Sequence, residues 1–94
     1  MNLSVEHREA EHRFLLEVEG AKAELTYRMR GRTIVFDHTG VPPQLRHRGL
    51  ANQLAQAGLA YARQQQLQVD PQCRFMAVYL KRHPEFCDLL QPAG

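Results

Sequence analysis

Apolar residues recur at every second position through the first forty residues and at every third or fourth position after residue 49. The clearest alternation is "AKAELTYRMR" (21–30). Ala21, Ala23, Leu25, Tyr27 and Met29 share one face, while Lys22, Glu24, Thr26, Arg28 and Arg30 share the other, the period of a half-buried strand. Before it, "HRFLLEVEG" (12–20) alternates through Phe14, Leu16 and Val18 and ends in a Glu19-Gly20 turn. After it, Arg30-Gly31-Arg32 forms a hairpin turn. "TIVFDHTGV" (33–41), β-branched and aromatic, makes a third strand. A short opening strand is expected over residues 3–8.

From Gly49 the period becomes helical. Leu50, Leu54, Ala57 and Tyr61 recur at helical intervals, with Ala51, Ala55, Gly58 and Ala62 as small neighbours, which predicts a close-packing helix ending near Gln65. "LQVDP" (67–71) is a brief strand. "QCRFMAVYLKRH" (72–83) is a second helix, stopped by His83-Pro84. "PEFCDLL" (84–90) adds a turn or two, and "QPAG" (91–94) is a frayed end. A helix between two strands makes a crossover, so the last strand should lie parallel to "TIVFDHTGV". The expected class is α+β: a mostly antiparallel mixed sheet of about four to five strands with a βαβ crossover and two main helices, in one domain spanning residues 1–94.

Composition narrows the function classes. Twelve basic against ten acidic side chains leave a net charge of +2, too little to argue for nucleic acid. The charge is uneven, with clusters at "RMRGR" (28–32) and "LRHRG" (45–49), and arginines on a solvated face are the plain explanation of both. A nucleic-acid reader would also want exposed aromatics for stacking, and only Tyr27 on the sheet is a candidate. No apolar run approaches the roughly 20 residues that cross a bilayer. The first residues lack a secretory pattern, so a cytoplasmic protein without a membrane partner is expected. Cys73 and Cys87 lack metal-site spacing, and no metal is expected. Nothing demands a dimer: a monomer or weak dimer is expected.

The chemistry concentrates in "VPPQLRHRGLANQL" (41–54), where a strand hands over to a helix. The first amides of a helix have no internal partners and carry partial positive charge, so they donate to phosphate oxygens. Gly49 lets a ligand approach the backbone, Ala51 is small, and Arg46 and Arg48 can add charge-assisted contacts. The segment is neither a Walker loop nor a dinucleotide fingerprint. A glycine near a helix start flanked by surface arginines remains the structural alternative.

The pattern Arg46-x-x-Gly49-x-Ala51 resembles the acetyl-CoA signature of the GNAT superfamily of N-acetyltransferases. "HTGVPPQLRHRGLA", "VDPQCRF" and "HPEF" further resemble the small YjdJ-like branch, and the likeness runs from about Glu11 to Leu90. The resemblance implies an acetyl-CoA-dependent N-acetyltransferase acting on a primary amine of a small molecule or an exposed lysine. The alternative is a coenzyme A or acetyl-CoA binding module with little or no catalysis. It also implies pyrophosphate on the amides from about His47 through Arg48, Gly49 and Leu50 to Ala51. The pantetheine arm would lie where "TIVFDHTGV" splays from "LQVDP", and a backbone N–H near Val41 would hold the acetyl carbonyl.

Three residues are candidates for the chemistry. His38 lies in the strand before the loop, and imidazole exchanges protons near neutral pH; it is either a base or a residue that holds the turn. Cys73 falls just after "VDP", at an expected helix start, where it either accepts the acetyl group or packs as a small residue. Tyr79 lies on the helix where many relatives carry a tyrosine general acid, although its spacing to "HPEF" departs from theirs and core packing explains it equally. Cys87, Phe75 and Phe86 read as core. The acceptor-binding helices and two C-terminal strands of larger relatives have no counterpart here, so the acceptor side should be open and shallow.

Overall fold

The structure, a computed structural model, describes residues 5–90. Five strands form one sheet in sequence order: β1 (Glu6–Arg8), β2 (Arg13–Val18), β3 (Ala21–Arg30), β4 (Thr33–Gly40) and β5 (Gln68–Pro71). The first three junctions are antiparallel and β4 pairs β5 in parallel. Helix α1 (Leu50–Gln64) makes the crossover, and α2 (Arg74–Arg82) with a 3-10 segment, Pro84–Leu89, closes the described chain. Architecture and element order match the sequence expectation. Only Glu6–Arg8 of the expected opening strand is β structure; residues 3 and 4 and the expected frayed end, 91–94, lie outside the described residues.

Turn chemistry sets the hairpins. Glu19 (φ 53°) and Gly20 (φ 81°) both take positive φ between Val18 and Ala21, the geometry that suits the twist of a two-residue hairpin. Gly31 (φ 60°) does the same work between Arg30 and Thr33.

One face of the sheet carries both helices. Phe14, Leu16, Ala23, Leu25, Tyr27, Ile34, Phe36 and Val69 meet Leu50, Leu54, Leu59, Met76 and Leu80 in a single buried cluster. Tyr27 is 3 % exposed, so the one aromatic expected to be open for base stacking is in the core. The buried side of α1 runs through Leu50, Leu54, Ala55, Gly58, Leu59 and Ala62, while Ala57 and Tyr61 are half-buried at its edge. The small residues thus sit at the middle of the contact rather than beside it. Gly58 shows why: a Cβ there would lie 2.9 Å from the Phe36 ring and 3.1 Å from Leu25.

The opposite face has no helix among the described residues. Arg28–Asp37 and Arg30–Asp70 ion pairs, at 3.3 and 3.2 Å, lie across it, and Arg28 also donates to Gln72. Leu15 and Val35 are nevertheless buried on this face. At the tail two expectations are corrected. Cys87 is exposed rather than core, because the 3-10 segment turns it outward while burying Leu89. Phe75 is only half-buried, because it stands on the first turn of α2 beside an opening in the surface. Phe86 packs against the core from its margin.

His7 ties the short β1 to this core. Its ring stacks on Phe14 at 4.1 Å, meets Tyr61 edge-on at 4.4 Å, and its Nε2 lies 2.7 Å from the Tyr27 hydroxyl. Burial lowers its pKa below 6.5, with Glu9 opposing weakly. The folded state therefore favours the neutral ring: its contribution to stability is complete above pH 6.5 and is lost as pH falls from there through the depressed folded pKa. Two outcomes follow. In urea titrations, Gly58→Val should lose about 1–3 kcal/mol from overpacking against Phe36. Comparing about pH 7.5 with about pH 5.5, His7→Gln should lose less stability on acidification than the parent.

Candidate functional site

The site is built where β4 ends. Val41 leads into Pro42 and a 3-10 turn, Pro43–Leu45, held by Leu45 N–H donating to Pro42 O at 2.9 Å and anchored by Leu45, 1 % exposed. Proline fixes φ here without losing a needed donor, so the loop is stiff. His47 (φ 67°) and Gly49 (φ 74°) then take left-handed backbone on either side of Arg48. For His47 that conformation is costly; for Gly49 it is free, and the position its Cβ would occupy is open space.

Gly49 caps α1 with no side-chain hydrogen bond, and the first helical bond is Gln53 N–H to Gly49 O at 3.2 Å. The amides of Leu50, Ala51 and Asn52 precede that bond and have no acceptor within the helix. They open into a cavity of about 300 Å³ whose wall includes Val41, Leu45, Arg46, Leu50, Ala51 and Phe75. His47, Gly49 and Asn52 complete it. One end presents free N–H groups and a guanidinium; the rest is largely apolar. Such a cavity suits a ligand with an anionic head and a slender, less polar arm.

Six of the seven residues expected to hold the cofactor therefore meet here: Val41, Arg46, His47, Gly49, Leu50 and Ala51. Arg48 does not line the cavity. It lies 3.7 Å from Glu19, an exposed pair across the loop. Arg46 folds back toward the Val41 carbonyl at 3.4 Å, which keeps its charge at the mouth. Sequence reasoning missed Leu45, Asn52 and Phe75. Asn52 was recoverable as the third helical residue, whereas Phe75 is brought in by tertiary packing of α2.

Above the cavity β4 and β5 part. Their pairing ends at Phe36–Pro71, and Phe36 O then accepts from both Gln72 and Cys73 N–H at 3.0 Å. Beyond this, His38–Gly40 pair with β3 alone, Asp37 being the extra residue of a register shift, and among the described residues no strand pairs with their other edge. Cys73 stands at the parting as the N-cap of α2, with Sγ 3.3 Å from Thr39 Oγ1.

A register shift after Thr26 places Asp37 and His38 together on the helix-free face, where Asp37 accepts from the Thr26 hydroxyl at 2.5 Å. His38 is exposed there, and its Nε2 lies 3.1 Å from where a Gly40 Cβ would be. His38 and Cys73 thus approach the same parting from opposite faces of the sheet. Tyr79 is not with them. It is 5 % exposed, stacked on His83 at 4.0 Å, and burial raises its pKa, with Glu85 adding to the shift. Among the described residues no group of side chains is arranged to hold a metal, and no helix is long and apolar enough to cross a membrane.

Comparison with known proteins bears on the family and the fold. The family model for the GCN5-related N-acetyltransferase domain matches residues 13–89. Protein NATD1 of Homo sapiens is 33 % identical over 96 % of this chain and 84 % of its own length. The Gallus gallus protein of the same name is also 33 % identical, over 96 % and 86 %. A GCN5-like protein from Staphylococcus aureus, solved in solution by NMR, superposes with a TM-score of 0.76 at 29 % identity, covering 99 % of this chain and 92 % of that one. A family match across most of the chain, the shared fold and the loop that opens α1 lead to one conclusion: this chain belongs to the GCN5-related N-acetyltransferase family.

Proposed function

We propose that this chain is an acetyl-CoA-dependent N-acetyltransferase of the small YjdJ-like branch, one cytoplasmic domain that acetylates a primary amine of a small molecule or an exposed lysine. The observation that carries the reading is the row of free amides at Leu50, Ala51 and Asn52 beside Arg46, opening into a cavity with apolar walls. Coenzyme A has the matching form, a pyrophosphate head on a slender arm, and when bound it supplies an activated acetyl group as a thioester.

The chain's own groups then divide the work. The α1 amides and Arg46 bind the pyrophosphate. The free edge of β4 from His38 to Gly40 can pair with the amides of the arm as an extra strand would. Val41 N–H donates to the acyl oxygen as negative charge develops there, a contact worth about 3 kcal/mol of barrier in comparable sites. Phe75 and Leu45 exclude water from the arm. The amine approaches over the helix-free face, where His38 takes its proton directly or through water. An open acceptor side suits a lysine on a protein surface as well as a small amine.

The Thr39–Cys73 contact favours a second route. Cys73 Sγ bonds to the acetyl carbon while its proton passes to the departing sulfur; the amine then displaces Cys73 and the thiol is restored. A coenzyme A binding module would share the cradle and differ in turnover alone.

Two experiments test these assignments. In calorimetric titrations with coenzyme A, Gly49→Glu should abolish binding by placing bulk and negative charge among the amides. Gly49→Ala carries the left-handed strain without the charge, and should keep affinity within about tenfold; unchanged affinity in the Glu variant would remove pyrophosphate from this loop. Incubation with acetyl-CoA followed by intact mass spectrometry should show an acetyl adduct that Cys73→Ala eliminates. An adduct that persists in that variant, or no adduct with turnover intact, refutes the covalent route.

A further inference from the structure

No step of the acetyl transfer engages Arg28, which stands on the helix-free face of β3 opposite Val35 of β4. Its guanidinium forks between two segments. Nε lies 3.3 Å from Asp37 Oδ2, and Nη2 donates to Gln72 Oε1 at 3.2 Å. One side chain thus reaches from β3 across β4 to the residue that leaves β5.

Both ends of the fork are themselves held. Asp37 Oδ1 accepts from the Thr26 hydroxyl at 2.5 Å, which leaves Oδ2 for the guanidinium. Gln72 Nε2 donates to Asp70 Oδ2 at 3.1 Å, so its amide turns Oε1 toward Arg28. Asp70 in turn pairs with Arg30 at 3.2 Å. The result is a continuous row of polar contacts across three strands.

The row ends where the strands part. Backbone bonds from β4 to the chain leaving β5 stop at Phe36 O, which accepts from Gln72 and Cys73 N–H at 3.0 Å each. Asp37 immediately precedes His38, and Gln72 immediately precedes Cys73. The fork therefore grips the residue before each of the two candidates for the chemistry. An exposed ion pair adds little to stability. What a guanidinium adds is geometry, because its N–H groups lie in one rigid plane, whereas the ammonium of lysine is a point charge.

We propose that Arg28 is a positioning residue: by bridging Asp37 and Gln72 it fixes the width of the parting that the thioester arm enters, and the separation of His38 from Cys73 across it. This rests on the acetyl-CoA reading of the α1 cradle. An arm paired to β4 as an extra strand lies about 4.8 Å from it, so a displacement of about 1 Å in the exit from β5 changes its contacts. The pyrophosphate head, held by the start of α1, is indifferent to that displacement.

The test compares acetyl-CoA with ADP, which has the pyrophosphate but no arm, in amide NMR titrations of the full chain. Arg28→Met should weaken acetyl-CoA by about fivefold and leave ADP within about twofold. Arg28→Lys, which keeps the charge and loses the fork, should behave as Arg28→Met does. Gln72→Leu removes the bridge from its other end and keeps the backbone bond to Phe36; it should reproduce the loss, and combining it with Arg28→Met should add nothing further. Urea midpoints should stay at the parent value, since the contacts are exposed. A purely structural role would instead lower the midpoint and weaken both ligands together. If the parent binds both ligands, then variants that keep acetyl-CoA affinity, lose both ligands alike or add their losses overturn the brace alone. A parent that binds neither ligand removes the cradle, and the brace with it.

Discussion

The site depends on one constraint, the parallel pairing of β4 with β5 and its abrupt end at Phe36–Pro71. Parallel neighbours require a crossover, and α1 supplies it by packing Gly58 against Phe36. That packing brings the start of α1 to the end of β4, where the strands part. Ligands of open α/β sheets bind at such places, beyond the carboxyl ends of strands. The free amides, the open edge of β4 and the Thr39–Cys73 contact all follow from that one arrangement.

The stiff loop and the unstrained glycine serve the same end. Pro42, Pro43 and buried Leu45 leave the chain little freedom between β4 and α1, so the amides are oriented before any ligand arrives. A cradle built from backbone dipoles also depends less on side-chain charge than its sequence implies. Arg48, half of the basic signature, points to Glu19 instead of the cavity. What "LRHRG" encodes is chiefly a backbone shape, with Arg46 as its one charged contributor to the cavity wall.

Much of this was legible in the chain. Strict alternation in "AKAELTYRMR" located β3, and the shift to helical spacing after Gly49 located α1, because both patterns reflect a single buried face. The turn at Glu19-Gly20, and the grouping of Val41, Arg46, Gly49, Leu50 and Ala51 around one cavity, were legible for the same local reason. What escaped depends on contacts between distant segments. Phe75 carries the look of a core residue but is half-exposed beside a loop thirty residues earlier in the chain. The bulge at Asp37 turns His38 onto the helix-free face, and no residue type in "TIVFDHTGV" announces it. Cys87 looked buried because its neighbours are apolar, yet a 3-10 segment has a different period from the α-helix that pattern assumes. The cluster of His7, Tyr27 and Tyr61 is wholly tertiary, because its three rings come from three elements.

If the start of α1 is a coenzyme A cradle, an amide NMR titration of the parent chain with acetyl-CoA reads it directly. Binding should be saturable and micromolar, with the largest shifts at Leu50, Ala51 and Asn52 and a second group at Val41 and along the open edge of β4. No saturable shift at millimolar ligand, or shifts centred on residues away from this loop, would contradict it.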